Sequence, residues 1–245
     1  MAKIIKIQGA YKLPEAISHS DNSERFDYIY RSGLWLDGSE GESRSGGGSA
    51  KKATTLYKDQ LNQYLDLIDK SNDGNKLNFF DAPCGDLNWV KDFCDKIRYS
   101  GGDISESLIS DLHQQFPNIE TFVFDITKDE FPNADMWHCR HCLFHLSLED
   151  IYKSLENFCR SKIEIALITN HFLPNSVTFD IDTGNFRFID LTNFPFNLPD
   201  PKLWLLDEDP RSGKTAMATG VWTREQIKLG VENYKSLLQK TDLKN

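Results

Sequence analysis

The chain has 245 residues and a formal net charge of −9 at pH 7, and 39% of its residues are hydrophobic. This length and composition are those of a globular protein with a sizeable core, which excludes wholesale disorder. The acidic balance argues against nucleic-acid binding, because attraction to phosphates needs a concentrated basic surface. No apolar run approaches the roughly 20 residues that span a bilayer.

Two features of the sequence bear on its cellular compartment. The N-terminal stretch MAKIIKIQGAYKLPEA has an apolar core that is too short for a secretion signal. The five cysteines have no regular spacing, which is typical of a reducing compartment rather than of a disulfide framework. We therefore expect a cytoplasmic protein.

Hydrophobic periodicity predicts an alternation of strands and helices. Residues 1–50 are mixed in composition and end in the Gly/Ser-rich segment GSEGESRSGGGSAKK. The predicted helices cover 54–68, 87–97, 106–116, 147–159 and 223–240. The predicted strands lie within 77–86, 98–105, 119–127, 134–143 and 162–172, and a β-hairpin with long loops follows residue 172. This alternation is typical of a parallel sheet with helices on both faces.

In such a sheet the ligand binds outside the carboxyl ends of the strands. After the first predicted strand, which ends at Asp81, Gly85 allows close approach of a ligand to the backbone. Asp103 lies 22 positions after Asp81, near the spacing of an acidic residue that binds ribose hydroxyls. The third strand ends in Asp125, and its neighbour Ile126 suits an adenine ring. The strand ends therefore predict a nucleoside site.

The loop after the first strand indicates which nucleoside cofactor binds. It reads GDLNWV over residues 85–90, without the later glycines of a dinucleotide-binding loop and with Asp86 where phosphates would lie. A P-loop is also absent from the sequence. S-adenosylmethionine carries no phosphate and has a positive sulfonium, so an acidic surround favours this cofactor.

Three motifs resemble those of the class I S-adenosylmethionine-dependent methyltransferases: FFDAPCGD, YSGGDIS and FDIT. Pro83 and Leu87 depart from this pattern, since they stand where the family has its first and third glycines. The chain is also similar to a subgroup of bacterial methyltransferases associated with capsule and surface-glycan biosynthesis. The segments that carry this similarity are Trp35, 42–49, 81–89, 139–147, 184–187 and 195–201.

The resemblance implies a fold and a domain organisation. The expected fold is a Rossmann-like, seven-stranded, mostly parallel sheet with an antiparallel C-terminal hairpin and helices on both faces. Residues 1–50 would form an N-terminal segment that carries the Gly/Ser-rich loop, and residues 51–245 would form the methyltransferase domain, all within one domain overall.

The resemblance also implies S-adenosylmethionine as cofactor, S-adenosylhomocysteine as product, and roles for individual residues. The loop after the first strand would line the methionine half, Asp103 would hold the ribose, and Asp125 would fix the base. Arg44 would pair with the cofactor's carboxylate, and a carbonyl after the fourth strand would receive its amine. The implied cofactor residues are Arg44, Asp81, Ala82, Pro83, Cys84, Gly85, Asp103, Ile104, Asp125, Ile126, Cys139 and Arg140.

The segment HCRHCLFHL, residues 138–146, raises the question of a metal site. Adjacent strand residues point to opposite faces, and zinc sites favour two separate ligand pairs, so we predict no metal. Cys139 and Cys142 are then core residues. His141 follows the fourth strand and is the first candidate for a general base, since histidine titrates near neutral pH. His171, at the end of the fifth strand, is the second. Either histidine could instead be structural.

Three further residues are candidates for substrate binding, namely Trp35, His145 and Arg187. Arg187 could bind a phosphate or hydroxyl group or form a surface ion pair, and the tryptophans at 35, 204 and 222 could contact a sugar or fill the core. The expected activity is O-methylation of a sugar hydroxyl, with a nucleotide-activated sugar as the small-molecule partner and no nucleic acid. Methylation of an amine or phosphoramidate, a non-catalytic cofactor-binding module, and a homodimer remain open.

Overall fold

The computed structural model describes residues 13, 14, 17, 20–69, 76–93, 96–173, 176–207 and 216–242. The N-terminal stretch considered as a secretion signal lies almost entirely outside these residues. No helix within the described part of the chain is long and apolar enough to cross a membrane.

Five α-helices and seven β-strands form the described structure. The helices are α1 (Asn22–Ser32), α2 (Lys51–Asp69), α3 (Glu106–Gln115), α4 (Leu148–Arg160) and α5 (Arg224–Asp242). The strands are β1 (Asn78–Asp81), β2 (Arg98–Asp103), β3 (Glu120–Val123), β4 (Met136–Cys139), β5 (Ile165–His171), β6 (Leu203–Leu206) and β7 (Met217–Thr223).

The strands form one mixed sheet in the order β3-β2-β1-β4-β5-β7-β6. The pairs among the first five strands are parallel, whereas β7 runs antiparallel to both β5 and β6. The predicted Rossmann-like sheet with an antiparallel C-terminal hairpin is therefore confirmed. The carboxyl ends of β1 to β4 meet at one edge, where the candidate ligand-binding residues lie.

Alternate residues of the central strands pack into two cores. Phe80 and Trp137 face one core, to which α4 and α5 contribute, and Phe79 and Met136 face the other, to which α2 and α3 contribute. The sheet is thus buried on both faces, which explains why its strands read as continuous apolar runs.

The structure differs from the sequence prediction in two helices. Residues 87–97 were expected to be helical, but the segment contains a short 3-10 turn at Val90–Phe93. Leu87 has a positive φ of 56°, and it is buried together with Trp89 and Val90. A positive φ is incompatible with a regular right-handed helix, so the packing of Leu87 overrides helical propensity at the start of this segment.

Helix α1 was not predicted, although its signals are present in the sequence. The carboxylate of Asp21 caps the N-terminus by accepting from the amide of Glu24 at 2.9 Å. Gly33 ends the helix in the left-handed conformation, with φ 68°. This helix brings Asn22, Phe26 and Tyr30 to the ligand-binding edge of the sheet.

Candidate active site

A cavity of about 840 Å³, including its mouth, opens at the carboxyl ends of β1 to β4. Its walls come from α1, from the Gly/Ser-rich segment and from the strand ends. The sequence-predicted residues that line it are Trp35, Asp81, Pro83, Cys84, Gly85, Asp103, Ile104, Asp125, Ile126, Arg140, His141 and His145.

Asp103, at the end of β2, is a buried carboxylate held by backbone donors. Its Oδ2 accepts from the amide of Gly85 at 3.2 Å, and its Oδ1 accepts from the amide of Ser105 at 3.1 Å. The hydroxyl of Tyr30 lies 3.5 Å from Oδ2. Burial raises the pKa of Asp103 to about 6, and these hydrogen bonds only partly offset the effect. The carboxylate is ionised above that pH and lies within the cavity wall.

Asp81, at the end of β1, belongs to a buried chain of hydrogen bonds. Its Oδ1 lies 2.6 Å from Nδ1 of His138, and its Oδ2 accepts from the hydroxyl of Tyr99 at 2.9 Å. Nε2 of His138 lies 2.9 Å from the hydroxyl of Tyr57. Polar partners therefore fix the position of Asp81 in the cavity wall.

Asp125, after β3, forms a tight local turn. Its Oδ1 accepts from the amide and the hydroxyl of Thr127, and its Oδ2 pairs with Lys128 at 3.2 Å. Ile126 and Phe124 provide apolar surface in the same wall. This part of the wall therefore combines apolar side chains with polar groups.

The Gly/Ser-rich segment is docked on the loop after β1. The carboxylate of Asp86 accepts from the hydroxyl of Ser43 at 2.9 Å and from the amide of Arg44 at 2.7 Å. The amide of Asp86 donates to the hydroxyl of Ser45 at 2.9 Å. Arg44 directs its guanidinium to Asp111 of α3 at 2.8 Å and does not line the cavity. This ion pair explains why the structure does not place Arg44 where the resemblance implied.

Gly48 of this segment packs directly on His141. A Cβ added at Gly48 would lie 2.3 Å from Nδ1 of His141, which is far inside van der Waals contact. Neighbouring Gly47 is equally constrained, because its Cβ would lie 2.2 Å from the carbonyl oxygen of Gly38. Close packing, rather than flexibility, therefore requires glycine at both positions.

A buried carboxylate outside the predicted set organises the loop after β4. Asp207, which follows β6, pairs bidentately with Arg140, at 2.9 Å from Nε and 2.6 Å from Nη2. Its Oδ2 lies 3.1 Å from Nε2 of His141. The guanidinium of Arg140 also lies 5.0 Å from the ring centre of Tyr57 and donates to the carbonyl of Gly48 at 3.0 Å.

His145 and Trp35 form one wall of the cavity, with their rings stacked at 4.8 Å between centroids. Nδ1 of His145 lies 2.9 Å from the carbonyl oxygen of Asn185, so this nitrogen carries the proton. Burial lowers the pKa of His145 to about 3. The side chain is therefore neutral at physiological pH and presents an uncharged aromatic surface.

His171, the second candidate base, is not brought to the cavity. It is buried, with Nδ1 3.3 Å from the carbonyl of Ile189, and the ring of Phe144 packs beside it. Burial lowers its pKa to about 4. Among the two candidates, only His141 lines the cavity. Ala82 and Cys139 also lie behind the wall, at 0% exposure.

Arg187 is 0% exposed and does not line the cavity. Its Nη1 donates to the carbonyl of Leu146 at 2.5 Å, whereas Nε and Nη2 have no hydrogen-bond partner among the described residues. Burial lowers the pKa of this guanidinium to about 10. A charged group enclosed in this way opposes folding unless it is paired. The structure therefore gives Arg187 neither the substrate contact nor the surface ion pair that the sequence suggested.

We expect Arg187→Met to leave the midpoint of thermal unfolding unchanged or to raise it, because methionine fills the space without a desolvated charge. Arg140→Met is the contrasting variant, since it leaves the carboxylate of Asp207 buried without its guanidinium partner, at a cost of about 3–5 kcal/mol. Differential scanning calorimetry of both variants tests this expectation. A fall of more than about 4 °C for Arg187→Met would show that its charge stabilises the fold.

The remaining predictions concern metals and tryptophans. Among the described residues, no group of three or more His, Cys, Asp or Glu side chains could hold a metal ion.

Trp222 is fully buried in the core and packs edge-on against Trp204. Neither of these two tryptophans lines the cavity, whereas Trp35 does.

Comparisons with known proteins bear on the fold. No protein-family model matches the chain, and no curated protein sequence matches it. A solved structure of magnesium protoporphyrin IX methyltransferase from Synechocystis PCC 6803, with bound S-adenosylmethionine, matches with a TM-score of 0.50 at 14% identity, over 82% of this chain and 97% of that one.

A second solved structure is the 1,6-didemethyltoxoflavin-N1-methyltransferase of Burkholderia thailandensis, with its bound 1,6-didemethyltoxoflavin and S-adenosylhomocysteine. It matches with a TM-score of 0.53 at 11% identity, over 89% of this chain and 92% of that one. At such identities the likeness establishes the fold. The chain therefore has the Rossmann-like fold of these methyltransferases.

Proposed function

We propose that the protein is an S-adenosylmethionine-dependent methyltransferase. The observation that carries this proposal is that Asp81, Asp103 and Asp125, at the ends of three neighbouring strands, line one cavity with apolar surface between them. The carboxylate of Asp103 can accept both hydroxyls of a ribose, and Ile104 and Ile126 can pack against adenine. Bound S-adenosylmethionine supplies the methyl group that is transferred.

The charge of the cavity supports this cofactor over a phosphate-bearing one. Among the described residues that line the cavity, Arg140 is the one cationic side chain besides the histidines, and Asp207 neutralises it. A pyrophosphate would meet carboxylates without a counter-charge, whereas a sulfonium is attracted by them. The docked Ser43–Ser45 turn also occupies the side of Gly85 that a phosphate would need.

We further propose that the acceptor is a hydroxyl group of a sugar, and that this sugar is a nucleotide-activated sugar of capsule or surface-glycan synthesis. The wall formed by His141, His145 and Trp35 is aromatic, hydrogen-bonding and without net charge when the histidines are neutral. Such a wall suits a sugar ring, and any nucleotide portion would lie outside the described cavity. The described cysteines are free thiols, which supports a cytoplasmic location.

Calorimetric titration of the full chain with S-adenosylmethionine and S-adenosylhomocysteine, with NAD as the control ligand, tests the cofactor. We expect micromolar binding of the two adenosyl compounds and no binding of NAD. Binding of NAD, or of none of the three, would contradict the proposal. A panel of free and nucleotide-activated sugars, with small amines as the contrasting class, then tests the acceptor through formation of S-adenosylhomocysteine.

A further inference from the structure

The carboxylate of Asp207 is a buried ionisable group that the proposed function does not yet use. It does not line the cavity, yet among the described residues its carboxylate binds Arg140 through two hydrogen bonds and His141 through one, and both of these residues line the cavity. Its side chain is 1% exposed. The amide of Asp207 donates to the carbonyl of Met217, so β7 fixes the backbone that carries it.

The ionisation state of Asp207 decides which nitrogen of His141 carries a proton. Burial alone would raise the pKa of Asp207, but Arg140 and His141 together hold it below its usual value. An ionised carboxylate only accepts hydrogen bonds. The nitrogen of His141 that lies 3.1 Å from it, Nε2, must therefore be the protonated one.

We propose that Asp207 is a positioning residue for the proposed methyl transfer, and that it holds His141 in the Nε2–H tautomer and thereby makes Nδ1 the proton-accepting atom. This inference rests on the proposed function for its chemistry, but the tautomer itself does not depend on it. In the reaction, the acceptor oxygen bonds to the methyl carbon and its proton passes to Nδ1. The carbon–sulfur bond breaks with its electron pair on sulfur, and the hydrogen bond from Nε2 to Asp207 stabilises the resulting imidazolium.

The backbone of His141 is held as firmly as its side chain. The residue has a positive φ of 55°, which is unfavourable outside glycine, and its amide donates to the hydroxyl of Thr169 at 3.0 Å. In this conformation the ring of His141 contacts Asp207. A strained residue that is fixed from both sides is characteristic of a site that holds one geometry.

The Gly/Ser-rich segment covers the Nδ1 edge of the His141 ring, whereas Asp207 contacts its Nε2 edge. Gly48 lies against Nδ1, and Arg140 ties the carbonyl of Gly48 to the same Asp207 carboxylate. The turn Gly47–Ser49 must therefore shift before Nδ1 can reach an acceptor hydroxyl. Asp207 therefore binds both His141 and Arg140, and Arg140 links it to the Gly47–Ser49 turn that covers His141.

Nitrogen NMR of the full chain with ¹⁵N-labelled histidine tests this proposal without an acceptor. Among the described residues, Asp207, His145 and His171 act electrostatically on His141, and Arg140 shares the carboxylate of Asp207 with it. The signal is assigned by its loss in His141→Gln. In the wild type at pH 8 we expect a single tautomer with the proton on Nε2, and a proton on Nδ1 would overturn the proposal directly.

Asp207→Asn should lower the pH midpoint at which His141 protonates by at least about one unit, because the neighbouring negative charge is gone, and should lose the single tautomer. The matched control is Asp190→Asn, which removes another buried carboxylate, one that binds Asn170 and Thr192. An unchanged midpoint and tautomer in Asp207→Asn would overturn the proposal. If Asp207→Asn does not fold, the wild-type tautomer decides the question.

The NMR measurement and the cofactor titration together separate the proposed role of Asp207 from the proposed methyltransferase function. A confirmed tautomer in a protein that binds no S-adenosylmethionine would reject the methyltransferase function and keep the Asp207–His141 pair. Tight binding of S-adenosylmethionine together with a proton on Nδ1 of His141 would reject the proposed role of Asp207 and keep the methyltransferase function.

Discussion

Replacing Asp103 with asparagine should weaken the binding of S-adenosylmethionine by at least about 100-fold. The amide offers one acceptor oxygen instead of two, and its NH₂ group faces the amide of either Gly85 or Ser105, both of which donate to the native carboxylate. The two ribose hydroxyls would also lose their charged acceptor, and a hydrogen bond to a charged group contributes about 1.5–3 kcal/mol, which sets this scale. Isothermal titration calorimetry measures the change.

The affinity of the wild type should also depend on pH through Asp103. Its pKa of about 6 means that the carboxylate is protonated below that pH, so affinity should fall as the pH decreases through 6. The pH dependence should disappear in Asp103→Asn. Asp135→Asn is the matched control, because Asp135 binds Asn78 at the opposite end of the sheet. Unchanged affinity in Asp103→Asn would remove this residue from the ribose site.

Replacing His141 with glutamine should lower turnover by about 100-fold or more while the dissociation constant of S-adenosylmethionine stays within about threefold. General-base catalysis contributes about 10²–10⁴ to a rate, and glutamine cannot accept a proton. The side chain does not hold the ribose or adenine walls of the cavity. The rate of S-adenosylhomocysteine formation, measured on an acceptor that the wild type methylates, gives the turnover.

His113→Gln is the control for this substitution. His113 lies on α3, where its Nε2 is 2.7 Å from the carbonyl of Thr121, and it does not line the cavity. Its replacement should leave turnover unchanged. Equal turnover in His141→Gln and the wild type would mean that proton removal needs no side chain at this position.

The sequence predicted the sheet because its strands are short apolar runs separated by turn residues, and burial on both faces produces such runs. It also predicted the residues at the strand ends, because parallel strands place their carboxyl ends at one edge. Local sequence patterns were enough to place Asp103 and Asp125 at the carboxyl ends of their strands. They would also have been enough for α1, whose Asp21 cap and Gly33 end are both present in the sequence.

The sequence could not predict the surroundings of the side chains. Asp207 lies 67 residues from Arg140 and 66 from His141, so no local pattern connects them. Arg44 was assigned from the resemblance and Arg187 from its charge and its guanidinium geometry, but Arg187 is buried and donates to the carbonyl of Leu146, and Arg44 pairs with Asp111. An arginine in a sequence indicates a group that can bind an anion, but the packing of the folded chain decides which partner its guanidinium contacts.

The strand order has a consequence for how the site assembles during folding. Strand β6 is at the edge of the sheet and is hydrogen-bonded to β7, which comes after it in the chain and lies between it and β5. Asp207 therefore reaches His141 only after the chain has been synthesised past residue 223 and β7 has been inserted. Contacts between such distant segments form slowly. We therefore expect the orientation of the proposed base to be fixed only when the two C-terminal strands complete the sheet.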